Sequence, residues 1–283
     1  MKLLTINTHS LQEEHYPEKL EQFVEAILRE SPDIIAMQEV SQTMDAPLMD
    51  PEDLTGQYLS SVGSIPIRAD NHAAQVARRL NSAGAACSWA WLPVKLGYEK
   101  YDEGVAILSL GRSIRTVDRI LVSRVNDYAN WRTRAVLGVQ VEGMEDWFYS
   151  VHMGWWGEEE ESFENQWKKL NSCVATKRIC GPVWLMGDFN APDAVRGESY
   201  DTVAAAGWVD TYRAAPGRDQ GLTVPGVIDG WRDRLPADAQ GMRLDYIWCS
   251  REVSILSARV AFNGTKEPVI SDHFGVMIET KEN

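Results

Sequence analysis

Apolar positions along this chain follow two rhythms. Short continuous runs, each ending on a polar residue, alternate with stretches whose apolar positions fall three and four apart. Residues 2–6 form a first strand. Pro17 opens a helix in which Leu20, Phe23, Val24, Ile27 and Leu28 share a face, and Ser31-Pro32 ends it. Residues 33–40 return to strand, burying Ile34, Ile35, Ala36 and Met37. A second helix is predicted over 71–83, with Asn71 as its cap and Val76 and Leu80 inward. Five β-rich stretches follow at 86–94, 104–109, 113–123, 134–141 and 146–152. Ser162 caps a helix that buries Phe163, Trp167, Leu170 and Val174. A buried strand at 183–186 follows, and a small helix around 199–206 leads to Trp208. Strands near 243–249, 255–262 and 273–279 finish the chain. Residues 214–242 are rich in Gly, Pro, Asp and Arg and lack any period, so they read as a long loop of the kind that carries function. The expected fold class is α+β, with two packed, mostly antiparallel sheets flanked by helices. No repeat and no break in composition divides the chain, so 1–283 reads as one domain.

Composition narrows the class of function. A chain of 283 residues with 44% hydrophobic and 24% charged residues can bury a sizeable core. Its net charge of −13 disfavours tight non-specific binding to nucleic acid, although a local basic patch is compatible with it. No run reaches the length of a membrane span, and the first residues are too sparsely apolar for a signal peptide. The expectation is a cytoplasmic protein with no membrane role and no obligate protein partner. Cys87, Cys173, Cys180 and Cys249 have no CxxC spacing and read as reduced thiols, mostly buried.

The strand ends carry the candidate chemistry. Asn7 follows the first strand, Glu39 the second, and His152 the run from Trp147 to Val151. Asp188 and Asn190 follow the apolar run at 183–186; two apart, they point the same way in extended chain. Asp245 sits among apolar neighbours, and Asp272 and His273 open the last strand. Polar groups at the ends of buried strands are costly unless they have partners or a task. Carboxylates with histidine suit a cation-assisted attack of water on a phosphate.

Seven segments in order resemble the endonuclease/exonuclease/phosphatase superfamily, the group of deoxyribonuclease I, apurinic endonucleases, neutral sphingomyelinases and inositol polyphosphate 5-phosphatases. They are TINTH, IIAMQEV, YDEGVAIL, YSVHMG, LMGDFNAP, RLDYIW and SDHFGV, and they span nearly the whole chain. The resemblance implies a deoxyribonuclease I-like four-layered sandwich and Mg²⁺-dependent phosphoester hydrolysis, with Mn²⁺ as a substitute. It implies that Glu39 is the main metal ligand, assisted by Asn7, with Asp272 in the metal set. Asp188 would position or deprotonate water and Asn190 would hold that water or a phosphate oxygen. His273, oriented by Asp245, would contact the phosphoryl group. His152, partnered by Glu103, would stabilise charge or protonate the leaving oxygen. Tyr101 also falls on a matching motif. The resemblance gives His9, His15 and His72 no role, and they read as structural histidines.

The substrate must be argued from other features. Tryptophan is abundant, at 11 residues. Trp147, Trp167, Trp184 and Trp248 fall on strand or helix faces and read as core. Trp155 and Trp156 directly follow the His152 motif, and adjacent residues are hard to bury together; an exposed one would be a platform for a sugar or a base, the other packing. Arg132 and Arg134, two apart, would share a strand face suited to a terminal phosphate dianion. Glu158 to Glu161 is expected in solvent, where it would repel a polyanionic strand. The reading is a phosphomonoesterase for a small phosphorylated substrate, a sugar phosphate, and the tryptophans after VHMG resemble the bacterial maltose 6′-phosphate phosphatase group. The alternatives are a Mg²⁺-dependent deoxyribonuclease acting on nucleic acid, and a non-catalytic binding protein on the same fold.

Overall fold

Across residues 1–54, 58–61, 65–226, 228, 231 and 241–281, which the computed structural model describes, two six-stranded sheets lie face to face between helices. The chain runs β1 (Lys2–Asn7), α1 (Tyr16–Glu30), β2 (Ile34–Thr43), α2 (Pro51–Leu54), α3 (His72–Ser82), β3 (Cys87–Gly97), β4 (Tyr101–Leu110) and β5 (Ile114–Leu121). It continues with β6 (Ala135–Val141), β7 (Trp147–His152), α4 (Phe163–Val174), α5 (Lys177–Cys180), β8 (Val183–Asp188) and α6 (Ser199–Ala205). It closes with β9 (Val209–Asp210), α7 (Thr211–Ala214), β10 (Asp245–Cys249), β11 (Ile255–Ala261) and β12 (Gly275–Thr280).

One sheet has the order β11-β12-β1-β2-β4-β3, the other β5-β6-β7-β8-β10-β9. Each is antiparallel except for one inner pair: β1 with β2, joined through α1, and β7 with β8, joined through α4. A parallel pair requires such a crossover, and its helix covers the outer face of the sheet. The amphipathic stripe of α1, with Leu20, Phe23, Val24 and Ile27, packs with α3 on the outside of the first sheet. Phe163, Trp167, Leu170 and Val174 of α4 do the same for the second. Between the sheets, Leu3, Ile34, Ala36 and Ile107 meet Leu137, Val139, Phe148, Met186 and Ile247. The result is the four-layered sandwich expected from the sequence.

The expected caps hold. The Asn71 side chain accepts from the Ala74 N–H at 3.1 Å, and Ser162 accepts from Asn165. Strands β2 to β4 run longer than their apolar runs, because β2 continues to Thr43 and β4 begins at Tyr101. The short α2, α5, β9 and α7 carry too few residues for a period to show. Trp208, just after α6, is buried edge-on against Trp167. Two of the cysteines, Cys87 and Cys249, are buried; Cys173 and Cys180 are exposed. Part of the long loop predicted at 214–242 lies outside the described residues; within it, Val224 bridges Met242. Among the described residues, no helix is long and apolar enough to cross a membrane.

Candidate active site

The topology explains why distant polar residues meet. Because β1 and β2 are parallel, Asn7 at the end of β1 lies in register with Gln38, one residue before Glu39. Because β7 and β8 are parallel, His152 and Asp188 likewise end their strands in register. Strand β10 runs against β8, which sets Asp245 opposite Asp188. Strand β12 runs against β1, so the turn before it delivers His273 to the end of β1. Gln38 ties the sheets together, donating from Nε2 to Ser150 Oγ at 2.9 Å.

Local backbone features finish the aiming. The β2–β4 register shifts between Met37 and Val40, and Glu39 in this bulge has φ 52°, a left-handed conformation costly for a residue with a Cβ. Gly187 is needed where it stands: a Cβ there would lie 1.9 Å from the Val151 carbonyl oxygen. Asn190 takes φ 47°, which Asn tolerates better than most residues.

Asn7 Nδ2 donates to Glu39 Oε1 at 2.8 Å and to Asp188 Oδ2 at 3.3 Å, while its Oδ1 accepts from the His9 N–H. Asn7 thus spaces two carboxylates. The Asn190 N–H donates to Asp188 Oδ1 at 2.8 Å. Asp188 Oδ2 faces both imidazoles, 3.7 Å from His152 Nε2 and 3.9 Å from His273 Nε2. His152 Nε2 is also 3.9 Å from Glu39 Oε1.

The two histidines, alike in sequence, differ electrostatically. For His273, burial acts to lower the pKa, but the Asp245 carboxylate at 3.0 Å and Asp188 outweigh it and raise it to about 10. His152 is held well below the usual histidine range by burial, then by the nearby Arg134, Lys95 and His273. In the free protein it is the neutral imidazole of the pair. Burial, opposed by His273 and reinforced by Asp245, lifts Asp188 to about 7. Burial and then the Glu103 carboxylate raise Glu39 as well.

These groups line a cavity of about 250 Å³. Glu39, His152, Asp188, Asn190 and His273 form one part of its wall, and Lys95, Tyr98, Glu103, Trp131, Arg134 and Trp155 another. Arg134 is buried; its Nη1 donates to the carbonyls of Trp131 and Thr133, and its Nε has no partner among the described residues.

Several sequence expectations are redrawn. Arg132 and Arg134 do not share a strand face, because β6 begins only at Ala135 and both lie in the turn before it. Arg132 stacks on Trp131 and pairs with Glu158 and Glu160, outside the cavity wall. The run Glu158 to Glu161 is not all in solvent: Glu161 is buried, accepting the Arg124 and Val125 N–H groups. Glu103 pairs with Lys95 at 3.1 Å, and no ion pair joins it to His152 among the described residues. Asp272 sits with His9 and Glu13, its Oδ1 4.0 Å from His9 Nδ1, and its charge still reaches Glu39, whose pKa it helps to raise. Tyr101 is buried with the Lys100 ammonium over its ring and lies outside the cavity wall. Trp155 faces the cavity, while Trp156 packs on Phe163. His9 does more than expected: it bonds Glu13 at 2.8 Å within that second cluster of possible metal donors.

Two further contributors were not among the predicted site residues, although one falls in the 214–242 stretch expected to carry function. Lys95 reaches the cavity through a bulge in β3. Trp231, within the aperiodic 214–242 stretch, donates from Nε1 to Asn190 Oδ1 at 2.9 Å, while Asn190 Nδ2 donates to the Met153 carbonyl. The Asn190 amide is therefore locked in orientation.

The chain has counterparts among known proteins. The profile of the Endonuclease/Exonuclease/phosphatase family matches residues 4–273. An endonuclease/exonuclease/phosphatase family protein from Leptotrichia buccalis is similar over 100% of both chains, with 28% identity and a TM-score of 0.84. A mannosyl-6-phosphatase from Bacteroides thetaiotaomicron also covers 100% of both, at 16% identity and a TM-score of 0.65. A 3′ phosphatase from Neisseria, bound to a product DNA hairpin, does so at 19% and 0.61. Comparison with curated proteins returns no match.

Proposed function

The chain belongs to the endonuclease/exonuclease/phosphatase family, and on that premise we propose that it is a Mg²⁺-dependent phosphomonoesterase acting on a small sugar phosphate. The observation that carries the proposal is the cavity itself. It joins the acid and histidine edge to a buried guanidinium and two indoles, and at about 250 Å³ it falls just below the roughly 300–1,000 Å³ of drug-sized pockets. That size and lining suit a small anion with a ring attached. The mannosyl-6-phosphatase on the same fold is in keeping with this substrate class.

The donor set fits a hard divalent cation. Glu39 is a carboxylate raised by burial and then by the nearby Glu103 and Asp272 carboxylates, and a bound cation would hold it ionised. Glu39 would hold the ion, with Asn7 beside it; the bound ion would withdraw charge from a phosphoryl oxygen. Asp188 is placed to take a proton from water. One of its oxygens is engaged by the Asn190 N–H, and the other faces the imidazoles. Cationic His273, fixed by Asp245, offsets charge developing on the phosphoryl oxygens. Neutral His152 offers a hydrogen bond beside them. Arg134, whose Nε has no partner among the described residues, adds the charge that a monoester dianion needs and a diester needs less.

The test is phosphate release from sugar 6-phosphates and p-nitrophenyl phosphate under Mg²⁺ and after EDTA, beside a diester and an oligonucleotide. The proposal expects EDTA-sensitive release from the monoesters. Rapid DNA cleavage without sugar-phosphate turnover would establish the nuclease alternative instead, and no turnover of any ester would favour a binding protein.

A further inference from the structure

Lys95 and Glu103 face each other across β3 and β4 on the cavity wall, Nζ to Oε1 at 3.1 Å, with side chains only 13% and 6% exposed. The backbone makes room for both. The β3–β4 register shifts between Pro93 and Lys95, which sets Lys95 opposite Glu103. Gly97 lies beneath the carboxylate, where a Cβ would stand 2.5 Å from Glu103 Oε2.

An ion pair withdrawn from water is a weak stabiliser, because desolvation offsets its attraction. Its position on a ligand cavity points to recognition. The pair is a poor phosphate site, since Glu103 repels an anion and neutralises Lys95. It is a good site for neutral hydroxyls. A hydroxyl both donates and accepts, so two neighbouring hydroxyls satisfy a carboxylate and an ammonium together. Trp131 and Trp155, edge to face at 5.8 Å on the same cavity, supply apolar surface for the carbon skeleton that carries them.

We propose that Lys95 and Glu103 form a hydroxyl-reading subsite, which selects phosphate esters of polyhydroxylated, sugar-like alcohols with neighbouring hydroxyls over esters of alcohols without them. This rests on the monoesterase reading and deepens it. Glu103 acts here on the substrate and is not the partner of His152.

The test compares kcat/KM for a sugar phosphate, its single-deoxy analogues and an alkyl phosphate, in the wild type, Lys95→Met and Glu103→Gln. The wild type should prefer the sugar phosphate to the alkyl ester and to at least one deoxy analogue by about tenfold or more. That preference should shrink toward unity in both variants, mainly through KM. A merely structural role would depress all substrates alike. Should Lys95→Met lose its fold, Lys95→Arg, which keeps the charge but changes its reach, gives the same readout. Wild-type indifference to the hydroxyls, or a preference unchanged by the substitutions, overturns the inference and leaves monoester hydrolysis standing. Failure to turn over any monoester overturns both.

Discussion

His273 Nδ1 stands 3.0 Å from a carboxylate oxygen of Asp245, and the two side chains are 3% and 0% exposed. The contact fixes which imidazole nitrogen faces Asp188 and keeps the ring protonated. Asp245→Asn should lower kcat by about 10- to 100-fold. It should also move the alkaline limb of the pH–rate profile, set in the wild type by His273 near 10, to lower pH. A pH series of kcat/KM on both proteins checks this.

Asp188, as the proposed base, should set the acid limb. Its carboxyl, raised to about 7 by burial, must ionise to accept a proton, so kcat/KM should rise with pH up to that point. Added cation should shift this limb to lower pH, because a positive charge favours the ionised form. Asp188→Asn and His273→Ala should each lower kcat by about 100-fold or more, read from initial rates at saturating substrate.

The two arginines of the 130–134 turn should separate. Arg134→Lys should raise KM for a monoester about tenfold and less for a diester, since a guanidinium fork is replaced by a point charge. Arg132→Ala, which removes ion pairs with Glu158 and Glu160 and the guanidinium over Trp131 but no group of the cavity wall, should change KM by less than about twofold.

His72 gives a stability prediction away from the site. It is buried against Phe23 with Tyr16 Oη 3.0 Å from Nδ1, and burial, helped by Arg79, lowers its pKa from 6.5 to about 3. Between those values the unfolded chain binds a proton that the folded one does not. Stability should therefore be full above about pH 6.5 and fall as pH drops toward 3, by up to roughly 1.4 kcal/mol per pH unit from this residue. His72→Gln should flatten that slope in denaturant titrations at pH 5 and pH 7.

The sandwich and most of the polar strand ends that meet at the cavity were legible because they rest on short-range patterns. Asp188, Asn190 and His152 follow continuous apolar runs, so their positions at strand ends could be read directly. The pairing of Asp245 with His273 was anticipated through the motifs that resemble the family's. What escaped depends on pairing between strands or on irregular backbone. The two-apart spacing of Arg132 and Arg134 implied one face only if the strand began before Ala135, and it does not. The Lys95–Glu103 pair needs the β3 bulge, which no local pattern announces. The bond from Trp231 to Asn190 links residues 41 apart through a stretch without period. Glu161 sits in an acidic run that reads as solvated, yet two backbone N–H groups hold it inside.

The central claim is tested most directly by titrating Mg²⁺ against phosphate release from a sugar monophosphate, with wild type and Glu39→Gln side by side. The account predicts saturable, EDTA-reversible activation in the wild type and a loss of about 100-fold or more in the variant, with far weaker response to the ion. Equal turnover by both proteins, or release that ignores Mg²⁺, would contradict it.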